Sequence, residues 1–349
     1  MAGTWETQNK VLPGAYINIK TSEPLSITPG DRGTVVILQE MTVGEDENLY
    51  TVTVTEQGYP EGAVASDKKL VIEALKKAKT VLIYKLPDSH TTDSINKALA
   101  RLKTVKFDVL CYPYDTTPGT ATANKTAIAS WIKTMREDEG VKCQAVLANH
   151  VGDYEGVINV AQGVVMADGS KLAAAEATAW VAGATAGASM TTSNTGMKYT
   201  GAIDVDPRMT KTEKETAVKA GKLIFDVDSA QNVTVVYDIN SLTTFTPEKS
   251  KDLSKNRVIR TLDNIANDIA SIFKSNYMGK INNNTDGRLL FKSALVDYFS
   301  SLQNMSAIDN FNPDDITVAP GDDIDAMLVD IYVEPVDSAE KLYMTVNLQ

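Results

Sequence analysis

Two histidines are the first place to look for chemistry in this 349-residue chain, since histidine is the side chain whose ordinary pKa lies near neutrality. His90 sits in Pro87-Asp88-Ser89-His90, and His150 has Asp153 and Glu155 close behind it. A histidine with nearby carboxylates can hold zinc or act as a base. A hydrolytic site near His150 is therefore one reading; a surface-loop histidine following a strand is the other. No G-x-S-x-G supplies an elbow serine. Asp314-Asp315 and Asp322-Asp323 with Asp325 flank Pro320-Gly321, but not at the spacing of a twelve-residue calcium loop, so they read as a solvated acidic loop. Cys111 and Cys143 each lie in an apolar, strand-like run without a Cys-x-x-Cys, and read as reduced, buried thiols. The stretch from Gly163 to Lys171 imitates a phosphate loop at the wrong spacing, and no G-x-G-x-x-G follows the first strand. The expectation is no catalytic residue, no metal site and no cofactor.

The elements that would position such residues form a long succession of strands and helices. Val35-Val36-Ile37-Leu38 is a short buried-type run, and Thr and Val alternate from Tyr50 to Thr55. Beyond Gly62 the pattern predicts helix 67–78, strand 80–86, helix 91–102, strand 107–112, helix 122–137 and strand 141–147. A strand at 156–160 and an Ala-rich helix from Leu172 to about Ala186 complete the layer. Such alternation implies a mainly parallel sheet with helices on its faces. Gly183, Gly187, Ser189 and Gly196 lighten the chain and read as a loop or domain crossing. An amphipathic helix over 211–219 leads into strands at 222–227 and 233–237, a hairpin. Val258, Leu262, Ile265, Ile269 and Ile272 then recur every three or four residues, one apolar helix face that leaves Lys255, Asp263, Asn267 and Lys274 on the wet side. Thr246-Pro247-Glu248 carries start signals for this helix or for a short turn before it. A second helix has the stripe Phe291, Leu295, Tyr298 and Leu302. Met327, Val329, Ile331 and Val333 alternate as a strand, Pro335 breaks the run, and Leu342, Met344, Val346 and Leu348 make a last apolar face. Ala15 to Lys20 alternates similarly. A strand close to a chain end either pairs with its own sheet or reaches into a neighbour's.

Charge is unevenly spread. The net charge of −11 argues against a nucleic-acid partner, because phosphate binding needs a basic footprint. From Met305 to Gln349 there are about ten acidic side chains against one lysine, whereas Glu248 to Lys292 holds about nine basic against five acidic. In a protein that meets copies of itself, opposite patches steer association and set register. Met1 to Lys10 lacks the basic and apolar regions of a secretory signal, and the longest apolar region, Leu172 to Met190, is too rich in Ala, Gly and Thr to favour a membrane span. Folding in a cytoplasm is expected.

Two motif groups carry a resemblance. Asn240-Ser241-Leu242-Thr243-Thr244, then Glu248-Lys249, a basic stretch, Thr261-Leu262-Asp263 and Asn267-Asp268-Ile269 form one. Gln144-Ala145-Val146-Leu147, leading through Gly152, Glu155 and Gly156 to Val157-Ile158-Asn159, form the other. In this order and at these separations they resemble the sheath proteins of contractile tails, as found in phages, defective prophages and R-type bacteriocins of Gram-positive bacteria. The likeness is greatest from about Val141 to Phe299.

The resemblance implies an α+β / α/β multidomain fold, with an α/β sheet domain beside a C-terminal core of β-hairpin and long helices. The parts would be an N-terminal arm (1–22), an outer β and α/β domain (23–200), a C-terminal core (201–334) and a C-terminal arm (335–349). It further implies a subunit that stacks as hexameric rings in a helical tube around a tail tube, in the tail of a virion. Its partners would be copies of itself, the tail tube protein, and baseplate and tail-terminator proteins, with neither nucleic acid nor membrane insertion. Tyr16, Ile17, Asn18, Ile19 and Lys20, with Leu342, Tyr343, Met344, Thr345, Val346, Asn347 and Leu348, would be strand-exchanging arms. A sheet near Leu223 to Tyr237 and Asp325 to Val333 would receive them. Lys251, Lys255, Arg257 and Arg260 would offer charge to a neighbour or to the tube. A sheath from a non-phage contractile injection system fits the same residues.

Overall fold

The computed structural model describes residues 32–53 and 57–348. Strands β1 (Thr34–Glu40) and β2 (Leu49–Thr53) precede α1 (Ala65–Leu75). Strand and helix then alternate through β3 (Thr80–Leu86), α2 (Thr92–Leu102), β4 (Val109–Tyr112), α3 (Ala121–Glu137), β5 (Gln144–Ala148) and β6 (Val157–Val160). The chain continues through β7 (Gly163–Met166), β8 (Lys171–Leu172), α4 (Ala174–Gly187), β9 (Ala202–Asp206), α5 (Lys211–Lys219), β10 (Lys222–Leu223), β11 (Phe225–Val227) and β12 (Val233–Val235). Seven strands make one sheet, ordered β10-β6-β5-β4-β1-β3-β2, in which only β2 runs antiparallel to its neighbour. The continuous apolar runs follow from burial on both faces. Val35 and Ile37 of β1 face a core containing α1 and α4, while Val36 and Leu38 face a second core containing α2 and α3; Cys111 and Leu110 of β4 divide in the same way.

Helix α4 shows how this layering uses small residues. Ala177 to Ala186 are all buried, so the helix is apolar around its whole circumference. Gly183 and Gly187, expected in a crossing, lie inside it. A Cβ at Gly183 would stand 2.2 Å from the Ala74 carbonyl oxygen, and one at Gly187 2.0 Å from that of Lys77. The glycines let α4 approach the chain at the end of α1. On its other side Trp180 stacks on Tyr199 with centroids 4.3 Å apart, and Phe225 meets both rings edge-on.

After a 3-10 turn at Lys251–Ser254, α6 (Asn256–Ile272) runs into a π-helical turn at Phe273–Tyr277. Helix α7 (Thr285–Asn304), β13 (Ile308–Asp309), β14 (Ile316–Pro320), β15 (Met327–Ile331) and β16 (Glu334–Pro335) follow. Phe291 packs against Phe273 and Tyr277, and Arg257 donates to the Ser306 carbonyl, so α7 runs back along α6. The antiparallel β14–β15 hairpin lies on α7, with Val318, Val329 and Ile331 against a third core of Ile265, Phe291, Leu295, Tyr298 and Phe299.

Two expectations change. Strands β11 and β12 form the expected hairpin, but Phe225, Val233 and Val235 pack into the core of the α/β layers; the hairpin and β14–β15 are separate sheets on different cores. Lys255 and Asp263 are buried instead of wet, because α6 is covered on two sides. Leu342 to Leu348 forms no strand within the subunit. No helix among the described residues is long and apolar enough to cross a membrane.

Candidate assembly surface

The chemistry-bearing residues are engaged in holding the subunit together. His90 is buried with Nδ1 2.7 Å from Glu40 Oε1 and Nε2 2.7 Å from the Tyr112 hydroxyl, which also accepts from Asn124 Nδ2 at 2.8 Å. Both ring nitrogens are occupied. Burial and Lys125 lower the pKa of His150, but Asp153 and Glu155 turn to the segment that leads into α6. Asp153 Oδ1 accepts from the Thr243 amide at 2.7 Å and the Thr244 amide at 2.9 Å, and Lys249 Nζ lies 3.1 Å from Glu155. Cys111 and Cys143 are free and buried, which pushes each thiol up to about 12. No group of three or more His, Cys, Asp or Glu among the described residues is placed to hold a metal ion.

Helix α6 is the polar seam between the two halves. Arg136 of α3 makes a two-pronged bond to Asp263, Nη1 to Oδ2 at 2.6 Å and Nη2 to Oδ1 at 2.7 Å, and donates to the Cys143 carbonyl at 3.0 Å. Asn267 donates to the Lys142 carbonyl at 2.8 Å and accepts its amide at 3.1 Å, while Arg32 donates to Asn264 at 2.6 Å. Asp238 joins the seam by accepting from the Asn194 amide and from Asn256. The sequence reading missed Arg136 and put Asp263 on the wet side, although spacing marks both. Arg136 stands four residues after Ile132 and Asp263 four after Ile259, charges on buried stripes.

Three of the four cations expected to face a partner lie in this region. Lys255, Arg257 and Arg260 are 7 %, 6 % and 0 % exposed. Lys255 pairs with Glu340 and, at 3.3 Å, with Asp337; Arg257 donates to Ser338 at 2.8 Å; Arg260 donates to the Thr192 carbonyl at 2.7 Å and lies 3.4 Å from Asp238. In this conformation all three are buried and bonded within the subunit. Only Lys251, on its 3-10 turn, is exposed.

Those bonds anchor the chain's last segment. Strands β13 and β16 pair, the Val336 amide donates to Ala307, and Glu340 also accepts from Ser193 at 2.8 Å. Burial opposes the charge on Lys255, but Glu340 and Asp337 outweigh it and raise its pKa. Beyond Lys341 the anchoring stops. Leu342, Tyr343, Met344, Val346 and Leu348 are 73 to 98 % exposed, and residues 342–348 make no hydrogen bond or ion pair among the described residues. Tyr16 to Lys20 lie outside the described residues.

Comparison with known proteins matches this architecture. Residues 88–241 fit the model of the phage tail sheath protein central domain, and residues 248–349 that of the phage tail sheath C-terminal domain. The phage-like element PBSX protein XkdK of Bacillus subtilis is 38 % identical over 258 residues, 72 % of this chain and 54 % of XkdK; the chain thus spans about half the length of that relative. The tail sheath protein of Clostridium phage phiCD119 is 31 % identical over 84 % of this chain and 82 % of its own length. Among solved structures, the sheath tail protein of Desulfitobacterium hafniense superposes with a TM-score of 0.82 at 32 % identity, covering 96 % of this chain and all of that one. The helical sheath of the anti-feeding prophage in its contracted state shares the fold at 14 % identity, with a TM-score of 0.75 over 97 % of this chain and all of that one. The chain belongs to the phage tail sheath family, whose members are structural components of tails rather than enzymes.

Proposed function

We propose that the protein is the repeating subunit of a contractile sheath, polymerising as stacked hexameric rings around a tail tube and shortening to drive that tube through a target envelope. The observation that carries this reading is the exposed segment 342–348. It alternates apolar and polar residues, starts from a firmly anchored point and has no partner among the described residues. An extended segment of this kind gains backbone hydrogen bonds by adding to the sheet of another copy. Contacts that repeat head to tail without closing produce a helical filament. The extended lattice would hold the energy for shortening, so that no nucleotide takes part. Copies of the subunit, the tail tube, a baseplate and a terminator are the partners this role requires.

Removing 342–349 tests the reading. The truncated subunit is expected to keep its melting temperature and circular dichroism, since residues 342–348 are exposed, yet to form no tubes by negative-stain electron microscopy with assembled tail tube present. Tubes as long as those of the full chain would overturn strand exchange by this segment.

A further inference from the structure

A groove of about 620 Å³ opens where α5, the loop after β12 and the turn before α6 meet. Its floor is apolar, with Val218, Leu242 and the 45 %-exposed Phe245, and its rim carries Lys219, Lys251 and Lys341. These three lysines are exposed, and none has an ion-pair partner among the described residues. A groove of this make asks for an acidic occupant with an apolar tip.

The same chain carries one. The turn of the β14–β15 hairpin reads Gly321-Asp322-Asp323-Ile324-Asp325-Ala326, and Ile324 is 96 % exposed between carboxylates that form no ion pair among the described residues. The turn is held in shape rather than loose. The Asn283 side chain donates to the carbonyls of Ile324 at 2.9 Å and Ala326 at 2.8 Å, and the Gly321 amide donates to Ala326 at 2.9 Å. A pre-shaped protrusion loses little freedom on docking.

Position decides whose groove it enters. The groove borders Lys251 and Ser254, at the start of α6, whereas Asn283 and the hairpin turn lie beyond its far end. Seventeen helical residues separate the two ends by about 25 Å. A subunit cannot fill its own groove with its own turn, but a second copy placed end to end can, and the contact then repeats. We propose that the Asp322–Asp325 turn of one copy docks in the Lys219/Lys251/Lys341 groove of the next, as a heterologous contact separate from the exchange of segment 342–348. This rests on the sheath reading above in requiring a second copy, and adds a second joint to it.

Two variants test it. A chain carrying both Ile324→Cys and Phe245→Cys, oxidised during assembly, should run as a ladder of covalent multimers on a non-reducing gel, while either single variant should not. The native thiols, buried and pushed up to about 12, stay silent. Reversing Lys219 and Lys251 to Glu should lower the assembled fraction at low salt by about tenfold, and mixing these subunits with Asp322→Lys, Asp323→Lys subunits should raise it above that of either variant alone. A ladder together with that rescue supports the joint. Tubes without a ladder would overturn the joint and leave the sheath reading standing. Failure of the wild-type chain to form tubes with tail tube supplied, together with no ladder from the double-cysteine chain, would overturn both.

Discussion

Asp153 shows what the sequence concealed at the scale of single residues. Its position near His150 suggested a metal or a base, but hydrogen bonds from the Thr244 hydroxyl and from the Thr243 and Thr244 amides hold its carboxyl down at about 2. A carboxylate lowered on folding adds stability that is complete above its unfolded pKa and is lost as the pH falls through the folded value. The Asp153 tie should therefore weaken between about pH 4 and pH 2. Because the side chain lies at the surface, the effect is modest. Melting temperatures measured across that window should fall less steeply for Asp153→Asn than for the native chain; parallel curves would contradict the tie. Asp153 was visible in the sequence, but its partners were not, because Thr243 and Thr244 lie about ninety residues away.

At the scale of elements, α4 bears the clearest steric demand. Gly183→Ala would press a methyl group onto the Ala74 carbonyl, and since backbone rather than a flexible side chain stands in the way, α1 and α4 must move apart. A loss of about 1–3 kcal/mol is expected from urea unfolding, with the fold retained. Gly169→Ala meets no neighbouring atom but has a positive φ, so its loss would come from the backbone alone and serves as the contrast. Much of the element order was legible because period and punctuation agreed. The strand Thr80–Leu86 and the helix Lys211–Lys219 lie where the pattern put them. Strand β14 escaped notice because Asp314-Asp315 and Pro320-Gly321 frame it as an acidic loop, although Ile316 and Val318 alternate inside it. The hairpin β11–β12 was legible but its layer was not, since Phe225 finds its place through Trp180 and Tyr199, far away in sequence.

For the whole molecule, the Arg136–Asp263 pair decides whether the α/β layers and the α6–α7 half behave as one body. Both side chains are nearly enclosed, 6 % and 4 % exposed, and removing one partner leaves the other charge buried. Arg136→Met should cost about 3–5 kcal/mol, and Arg136→Met with Asp263→Leu should recover much of it. In a Trp5→Phe background, which removes the third tryptophan, fluorescence reports on Trp131 and Trp180 in the α/β layers, and circular dichroism on every helix. The two signals should coincide on unfolding of the native chain and separate in Arg136→Met; coincident transitions in the variant would show that the seam's other bonds suffice. The pair was not legible in the sequence because it joins residues 127 positions apart.

The segment beyond Lys341 carries a hazard as well as an opportunity. Leu342-Tyr343-Met344-Thr345-Val346-Asn347-Leu348 contains no charge, proline or glycine. That composition favours stacked cross-β aggregates when such a segment meets its own kind. Asp337, Glu340 and Lys341 stand just before it as gatekeepers, but the first two are tied to Lys255 and add less repulsion than free carboxylates would. Unassembled subunits held at high concentration would thus be drawn toward amyloid-like clumping, and the proposed capture of the segment by a neighbour would also protect the pool.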